Sequence, residues 1–208
     1  MDNYLLYCFA QSGNAYKAAL MLSLSSANWT PEFVDFFNGE TKTETFKKLN
    51  PMGEVPVLIH ADTVISQSGV ILNYLCKNLN QFGPENEHEE REILRWLLFD
   101  NHKLTSYCAT LRFLRIFTDQ PENDVTHFFE LRAKNSLRIL NEHLSGTAFV
   151  VGNKPTIADL SLCGYLYFPE EIGFSFAPYP ELQRWLKDIS NLDGWAHPYD
   201  LMPDQPPS

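Results

Sequence analysis

Two short polar segments of this chain carry side chains that could bind or stabilise an anion. The first, Ser12-Gly13-Asn14, follows the apolar run Tyr4–Phe9, which has the length of a buried strand, and precedes a helical pattern. A turn between a strand and a helix is a favoured place for chemistry in α/β folds. Because no His or Lys base is motif-linked to Ser12, we do not expect this hydroxyl to be a nucleophile. We expect it to donate a hydrogen bond to an anion.

The second segment, Gln67-Ser68, stands where another helical pattern begins, over residues 70–75. The first turn of a helix offers unpaired N–H groups and the positive end of the helix dipole, and Ser68 adds a hydroxyl. Together these groups suit a carboxylate. The structural alternative is that Ser66 or Ser68 only caps the helix.

A proline-containing loop, Asn50–Pro56, leads into the apolar run Val57-Leu58-Ile59. Pro56 withholds an N–H from the sheet, so we expect the chain to bend at the entrance of a strand, where the Val55-Pro56 bond could be cis. The backbone groups of Val55 would then be free to pair with an extended, peptide-like ligand. A plain bend without a ligand is the alternative.

Composition and charge narrow the class of function. The chain has 208 residues, enough for one domain or two small ones, and its 44% hydrophobic content is ample for a packed core. Its net charge of −10 repels phosphate backbones and anionic membranes, so neither nucleic acid nor a membrane is an expected partner. We see no leader and no long apolar run, and a cytoplasmic location is therefore expected.

The four cysteines, Cys8, Cys76, Cys108 and Cys163, are widely separated and lie in apolar elements. They have no metal-ligand spacing, so no metal is expected, and most are predicted to be small core residues. Cys8 is different because thioredoxin-like redox proteins place a nucleophile just after the first strand. No CxxC motif follows it, which removes the usual resolving thiol, and redox chemistry at Cys8 is kept as an alternative.

Residues 1–78 read as β-α-β-α-β-β-α. In this pattern Phe33–Phe37 is the second strand, parallel to the first, and Thr43–Leu49 is a short helix before the proline loop. Residues 79–87 are turn-rich and are predicted to form a linker. Residues 88–208 show no convincing strand pattern and are predicted to be an all-helical domain.

A long amphipathic helix is predicted over Glu87–Phe117, with Asp100 in the gap of its apolar stripe. A carboxylate on a buried face costs roughly several kcal/mol unless it is paired or solvated. Asp100 is therefore expected to form an ion pair or a cap within the helical domain. The alternative is that it points into a cleft between the domains or reaches a ligand ammonium, also across a dimer.

Two further helix starts are visible in the C-terminal part. Thr156-Ile157-Ala158-Asp159 is a capping-box pattern with Asp in place of Glu or Gln, and its role is predicted to be structural. Pro180 opens one more helix. The tail after Gly194 is rich in Pro and is predicted to be irregular.

The ordered combination of NPxGxVP, a hairpin, and a polar residue with Ser at a helix start resembles the cytosolic glutathione S-transferase family, in particular its bacterial members with a serine-type turn. The resemblance spans nearly the whole chain. It implies an α/β thioredoxin-like N-terminal domain, an all-α C-terminal domain and a homodimer. It also implies an enzyme that uses glutathione as co-substrate, without a metal, and activates its thiol for attack on an apolar electrophile, as in detoxification.

The resemblance assigns roles to residues at the N-terminal site. Lys42 would reach the glycyl carboxylate of glutathione, Val55 with cis Pro56 would pair with its cysteinyl part, and Gln67 with Ser68 would hold its γ-glutamyl end. As Gln67 is uncharged, it would hold the ligand ammonium less strongly than Glu would, which adds weight to Asp100 or another acid. The electrophile would lie between the domains against aromatic residues, which are Tyr107, Phe113 and Phe117.

The thiol itself needs activation. A free thiol has a pKa near 8.5, and lowering it by about 2 units takes about 2.7 kcal/mol, which one or two hydrogen bonds can supply. Ser12 is the first candidate donor and Asn14 the second, with Tyr7 and Tyr4 as weaker rivals.

Two other functions stay open. One is glutathione-dependent reduction of a disulfide or peroxide, with Cys8 or with no protein thiol. The other is a non-catalytic binding or regulatory module that kept the fold, for which Gln67 and Met52 are the hints.

Overall fold

The computed structural model describes residues 3–118 and 122–206. It divides into two compact units. The first comprises the residues up to Gln81 together with those from Leu192 onward, and the second is Phe82–Asn191. This division differs from the predicted one at the C-terminus, because the tail joins the first unit and not the helical one.

The first unit is built on a mixed sheet of β1 (Tyr4–Cys8), β2 (Trp29–Phe33), β3 (Val57–His60) and β4 (Thr63–Ser66), in the order β2-β1-β3-β4. β1 pairs parallel to β2 and antiparallel to β3, and β3 pairs antiparallel to β4. A central strand is covered on both faces. The near-continuous apolar sequence of β1 reflects that position.

The predicted second strand, Phe33–Phe37, is wrong in its bounds. The strand is Trp29–Phe33, and it tolerates Pro31 because it lies at an edge of the sheet. After it, Val34 N still donates to Cys8 O at 3.0 Å, but Phe36 N then donates to Val34 O at 2.8 Å, which turns the chain. The aromatic run is therefore a turn, in which the ring of Phe36 stacks on that of Phe9 at 5.0 Å.

Three helices accompany the sheet: α1 (Gly13–Leu24), α2 (Glu44–Leu49) and α3 (Ser68–Leu79). A 3₁₀ turn, Glu40–Lys42, precedes α2. The predicted order of strands and helices in this unit is confirmed, as is the thioredoxin-like class.

The second unit is helical. α4 (Glu87–Phe99) and α5 (Thr105–Ile116) are joined by a π-helical turn, Asp100–Leu104, so the predicted long helix is present but contains this turn. The remaining helices are α6 (Asp124–Leu144), α7 (Ile157–Leu162), α8 (Pro169–Ile172) and α9 (Pro180–Ser190).

The predicted capping box at the start of α7 is confirmed. Asp159 is fully buried, and its two oxygens accept from Val150 N, Thr156 N and Trp185 Nε1, each at 2.8 Å. Burial raises the pKa of this carboxyl, while these donors oppose the rise. The residue is structural, as expected.

The C-terminal tail contains a short helix, α10 (Pro198–Leu201), and so is less irregular than predicted. Its hydrogen bonds to the rest of the first unit include one from Ser23 Oγ to Gly194 O at 2.5 Å. Ala10 N donates to Pro203 O at 2.8 Å, and Tyr16 Oη donates to Ala196 O at 2.9 Å. Within the ranges that the structure describes, no helix combines the length and apolar character needed to cross a bilayer.

Candidate functional site

The bend before β3 has the geometry that the sequence predicts. The Val55-Pro56 peptide bond is cis. Asn50, 1% exposed, holds the preceding loop, because its Nδ2 donates to Glu54 O at 2.8 Å and its Oδ1 accepts from Met52 N at 3.2 Å. A buried side chain thus fixes the backbone on which Val55 lies.

Gly53 sets the position of this loop against the 3₁₀ turn. Its φ of +64° is in the left-handed region, and a Cβ on it would lie 2.9 Å from Thr41 O. Only glycine combines this conformation with so close an approach. The loop therefore passes directly beside Thr41 and brings the proline bend to the segment that carries Lys42.

The start of α3 is open to a ligand. Gln67 precedes it with a φ of +72° and makes no side-chain cap, and no acid lies in the first turn. A Cβ on Gly69 would have nothing within 4 Å. The space beside Gly69 is thus open, and the N–H groups of this first turn form the positive end of a 12-residue helix, which favours an anion.

The start of α1 is organised by Ser12. Its Oγ accepts from Ala15 N at 3.1 Å and caps the helix, and the residue is only 6% exposed. No acid lies in the first turn of α1. Since a hydroxyl can accept and donate at once, this cap leaves the Ser12 hydrogen for an incoming anion.

A side-chain contact joins the two helix starts. Ser68 Oγ donates to Asn14 Oδ1 at 3.4 Å. Two of the predicted site residues, 54 positions apart in sequence, are thereby brought together. With Asn14 Oδ1 used in this way, its Nδ2 remains as a donor. The two positive helix ends therefore lie side by side.

Gln67 contacts the proline loop through its amide. Its Nε2 donates to Met52 Sδ at 3.0 Å and to Glu54 Oε2 at 3.2 Å. Glu54 was not among the predicted site residues, although it lies within the NPxGxVP motif. No local pattern could have revealed it, because an exposed Glu in a loop has no preferred partner in the sequence.

Lys42 lies at the C-terminal end of the 3₁₀ turn and is exposed. In the part of the chain that the structure describes, its ammonium forms no ion pair. It is an exposed cation in the segment that lies beside the proline loop, and an anionic ligand can reach it.

The alternative thiol and phenol groups are less suited to reaction. Cys8 is 0% exposed, and burial first, then the charge of Glu32, raises the pKa of its thiol to about 12. Burial, together with the charges of Glu32 and Glu40, also raises the pKa of the Tyr7 phenol, which packs edge-on against Phe46. Tyr4 is buried and stacks on His60 with ring centroids 4.1 Å apart.

Asp100 lies within the second unit and is 1% exposed. Its oxygens accept from Thr105 Oγ1 at 2.7 Å and from Ser161 Oγ at 2.5 Å. The carboxylate is thus satisfied inside the helical domain by two hydroxyl donors, where an ion pair or a cap was expected. Asp100 is also the first residue of the π-helical turn.

The three predicted aromatic residues of the electrophile site do not form one cluster. Phe113 is 43% exposed and its ring lies 6.2 Å from that of Phe117. Tyr107 instead packs against Phe129 of α6, also at 6.2 Å. Residues four apart share a helix face and residues six apart do not, which explains the separation.

Metal ligation finds no support in the described residues, among which no group of three or more His, Cys, Asp or Glu side chains is arranged to hold an ion.

The fold and the site together define a class of protein: a thioredoxin-like unit with a cis-proline bend, next in sequence to a helical unit with a buried capping box. The family model of the glutathione S-transferase N-terminal domain matches residues 3–77, and that of the C-terminal domain matches residues 103–193. The chain therefore belongs to the glutathione S-transferase family, and the family resemblance read from the sequence is confirmed.

Several known proteins resemble the chain over most of its length. The crystal structure of glutathione S-transferase from Pseudomonas fluorescens Pf-5 superimposes with a TM-score of 0.89 at 32% identity, covering 95% of this chain and 99% of that chain. Glutathione S-transferase 2 of Anopheles gambiae is 30% identical over 162 residues, which cover 74% of each chain. A glutathione transferase homolog from Lodderomyces elongisporus, solved with two GSH per subunit, shares the fold with a TM-score of 0.91 at 21% identity, covering 98% of this chain and 100% of that chain.

Proposed function

We propose that this protein is a glutathione transferase that binds glutathione on its first unit and holds the bound thiol as a thiolate. One observation carries the proposal: the uncapped start of α3 is joined to the start of α1 by the contact between Ser68 and Asn14. This contact supports the proposal because the start of α3, which would bind a carboxylate, lies next to the start of α1, which would bind the thiolate.

Each part of glutathione has a partner in this arrangement. The γ-glutamyl carboxylate binds the N–H groups at the start of α3 and the Ser68 hydroxyl, which then turns its hydrogen from Asn14 Oδ1 to the carboxylate. The cysteinyl amide pairs with the backbone of Val55 at the cis bend, and the glycyl carboxylate pairs with Lys42. These assignments are supported by the convergence of the proline loop, the 3₁₀ turn and α3 through Gly53 and Gln67.

The thiolate is stabilised at the start of α1. Ser12 donates its hydroxyl hydrogen, Asn14 offers Nδ2 as a second donor, and the helix end adds a positive potential. Hydrogen bonds to a charged group contribute about 1.5–3 kcal/mol each, so one or two of them supply the roughly 2.7 kcal/mol that a shift of 2 pKa units takes.

Reduction through Cys8 is the less favoured reaction. With a pKa of about 12, roughly one Cys8 thiol in 100,000 is ionised at pH 7, and the side chain has no exposed surface. A resolving or attacking thiolate at this position is therefore not available. Conjugation by bound glutathione requires no protein thiol.

For the second substrate we assign the exposed ring of Phe113 and the half-buried ring of Phe117 beside it, both in the second unit. Aromatic side chains of this kind bind apolar electrophiles by packing.

The test combines binding with a titration of the bound thiol. Glutathione at 100 times its dissociation constant should stabilise the protein by about 2.7 kcal/mol and raise the melting temperature. The ultraviolet absorbance of the thiolate, followed against pH, should give a pKa well below the solution value of about 8.5. Binding without a shift in the thiol pKa would instead favour the non-catalytic module, and no binding would overturn both.

A further inference from the structure

The start of α3 lacks the negative charge that a γ-glutamyl ligand needs. Such a ligand carries an ammonium on the same carbon as its carboxylate. The first turn of α3 contains no acid, and Gln67 before it is neutral. Charge-assisted hydrogen bonds are roughly twice as strong as neutral ones. A site at this helix start therefore requires an acid from another segment.

Glu54 is placed to be that acid. Its Oε2 lies 3.2 Å from Gln67 Nε2, and the residue is exposed, so its carboxylate is open to a ligand. Among residues 3–118 and 122–206, it is the acid that makes a hydrogen bond with the side chain of Gln67 or Ser68. The other acid considered for this role, Asp100, is buried and bonded to two hydroxyls of the second unit.

The contact also fixes the orientation of the Gln67 amide. A carboxylate only accepts hydrogen bonds, so the amide nitrogen must face Glu54, and it faces Met52 Sδ at the same time. The amide oxygen then points away from both and remains as an acceptor. Glu54 and Gln67 together thus offer one charged and one neutral acceptor.

The loop holds Glu54 in place. Its carbonyl accepts from the buried Asn50 Nδ2 at 2.8 Å, and Gly53 N donates to Asn50 O at 2.9 Å. Glu54 is also the neighbour of Val55, which pairs with the cysteinyl part in the proposed function. In glutathione the γ-glutamyl and cysteinyl parts are adjacent as well, so adjacent protein residues meet adjacent ligand residues.

We propose that Glu54 and Gln67 Oε1 form the subsite for the ligand ammonium, with the charge on Glu54. This makes Glu54 a specificity-determining residue, which selects γ-glutamyl peptides with a free α-ammonium over analogues without one. The proposal rests on the proposed binding of glutathione and adds to it the charged residue that binds the ligand ammonium.

The experiment measures the affinity for two ligands by calorimetry: glutathione, and its des-amino analogue glutaryl-cysteinyl-glycine. Three variants are compared with the unaltered chain: Glu54→Gln, the charge-matched control Glu44→Gln, and the exchange Glu54→Gln/Gln67→Glu. Glu44 is suited as a control because its side chain is 90% exposed on α2 and pairs with Lys47. The exchange keeps the net charge and moves the carboxylate to position 67.

Glu54→Gln should weaken glutathione binding about tenfold and leave binding of the des-amino analogue unchanged. Glu44→Gln should bind both ligands as the unaltered chain does, and the exchange should recover most of the lost affinity for glutathione. If the role of Glu54 were only structural, Glu54→Gln would lower the affinity for both ligands equally. The exchange would then restore the affinity for neither ligand.

Glutathione binding that is unchanged by Glu54→Gln, or an equal loss for both ligands, overturns the assignment while the proposed function stands. Failure of the unaltered chain to bind glutathione overturns the proposed function and this assignment together.

Discussion

The Ser12 hydroxyl has two roles, and a substitution can separate them. As a cap it accepts from Ala15 N, and as a donor it stabilises the thiolate. Ser12→Ala should lower the free energy of unfolding by about 1 kcal/mol through the lost cap. It should also lower kcat/KM for conjugation about 10-fold to 100-fold, because the lost bond to a charged group contributes about 1.5–3 kcal/mol.

A cap in the second unit provides the control for this prediction. Asn86 caps α4 by accepting from Glu89 N at 3.0 Å. Asn86→Ala should reduce stability by a similar amount and leave the pKa of bound glutathione unchanged, whereas Ser12→Ala should raise that pKa. If the thiol of bound glutathione has the same pKa in both variants, Ser12 does not stabilise the thiolate, and Asn14 is left as the donor.

Residues of the site were predictable where they lie in a local pattern. Ser12 and Ser68 stand at helix starts, and Pro56 precedes a strand, so each is visible from its neighbours in sequence. The contact of Glu54 with Gln67 crosses 13 positions between a loop and a helix start. No periodicity relates these two residues, and only the folded backbone shows that they meet.

At the scale of elements, helices were easier to predict than the edge strand or the π-helical turn. The periodicity of α6, the cap of α7 and the proline at the start of α9 are local features, whereas β2 contains Pro31, a residue that strands usually exclude. The π-helical turn begins at Asp100, where the apolar stripe is interrupted. One partner of Asp100 in this turn is Ser161 of α7, a contact over 61 positions that no local pattern indicates.

The packing of α5 on α6 should depend on pH through Glu130. Hydrogen bonds from Lys134, and then from Arg115 of α5, hold the pKa of Glu130 below its ordinary value. A lowered folded-state pKa stabilises the protein above the unfolded pKa of about 4.3, and this stabilisation is lost as the pH falls through the folded value. Glu130→Gln should therefore lower the free energy of unfolding by about 0.5–1 kcal/mol at pH 7 and by less under acid conditions.

Urea denaturation of the unaltered chain and of Glu130→Gln at neutral and acid pH measures this difference. Glu142→Gln is the control, because Glu142 pairs with Arg138 on the exposed face of the same helix and joins no second element. At pH 7, Glu142→Gln should lower the free energy of unfolding by less than Glu130→Gln does. If the difference in free energy of unfolding between Glu130→Gln and the unaltered chain is the same at both pH values, the charge of Glu130 does not stabilise the packing of the two helices.

At the scale of the whole molecule, the tail is where sequence reasoning was least informative. The proline-rich sequence predicts an irregular backbone, which is correct for the tail outside the short helix α10. It does not indicate which unit the tail packs against. That is decided by single contacts, such as Tyr16 Oη with Ala196 O and the burial of Met202, which is 4% exposed. The first unit is therefore completed by residues that follow the second unit in sequence.

The tail also supports the turn that carries the proposed thiolate donor. Pro203 O accepts from Ala10 N, and Ser12 N donates to Phe9 O at 2.9 Å, so the tail is bonded to the backbone just before Ser12. Deletion of residues 193–208 removes these contacts and should lower the melting temperature by about 5–10 °C. Deletion of residues 204–208 keeps them and is the matched control.

Hydrogen exchange locates the effect of the two deletions. Removal of the whole tail should speed exchange in β1 and α1 and leave α6 protected, since the lost bonds are confined to the first unit. It should also weaken glutathione binding, because a looser turn holds Ser12 and Asn14 less firmly at the start of α1. Faster exchange spread over both units, or unchanged exchange in β1, would show instead that the turn is held by the sheet alone and that the tail only covers it.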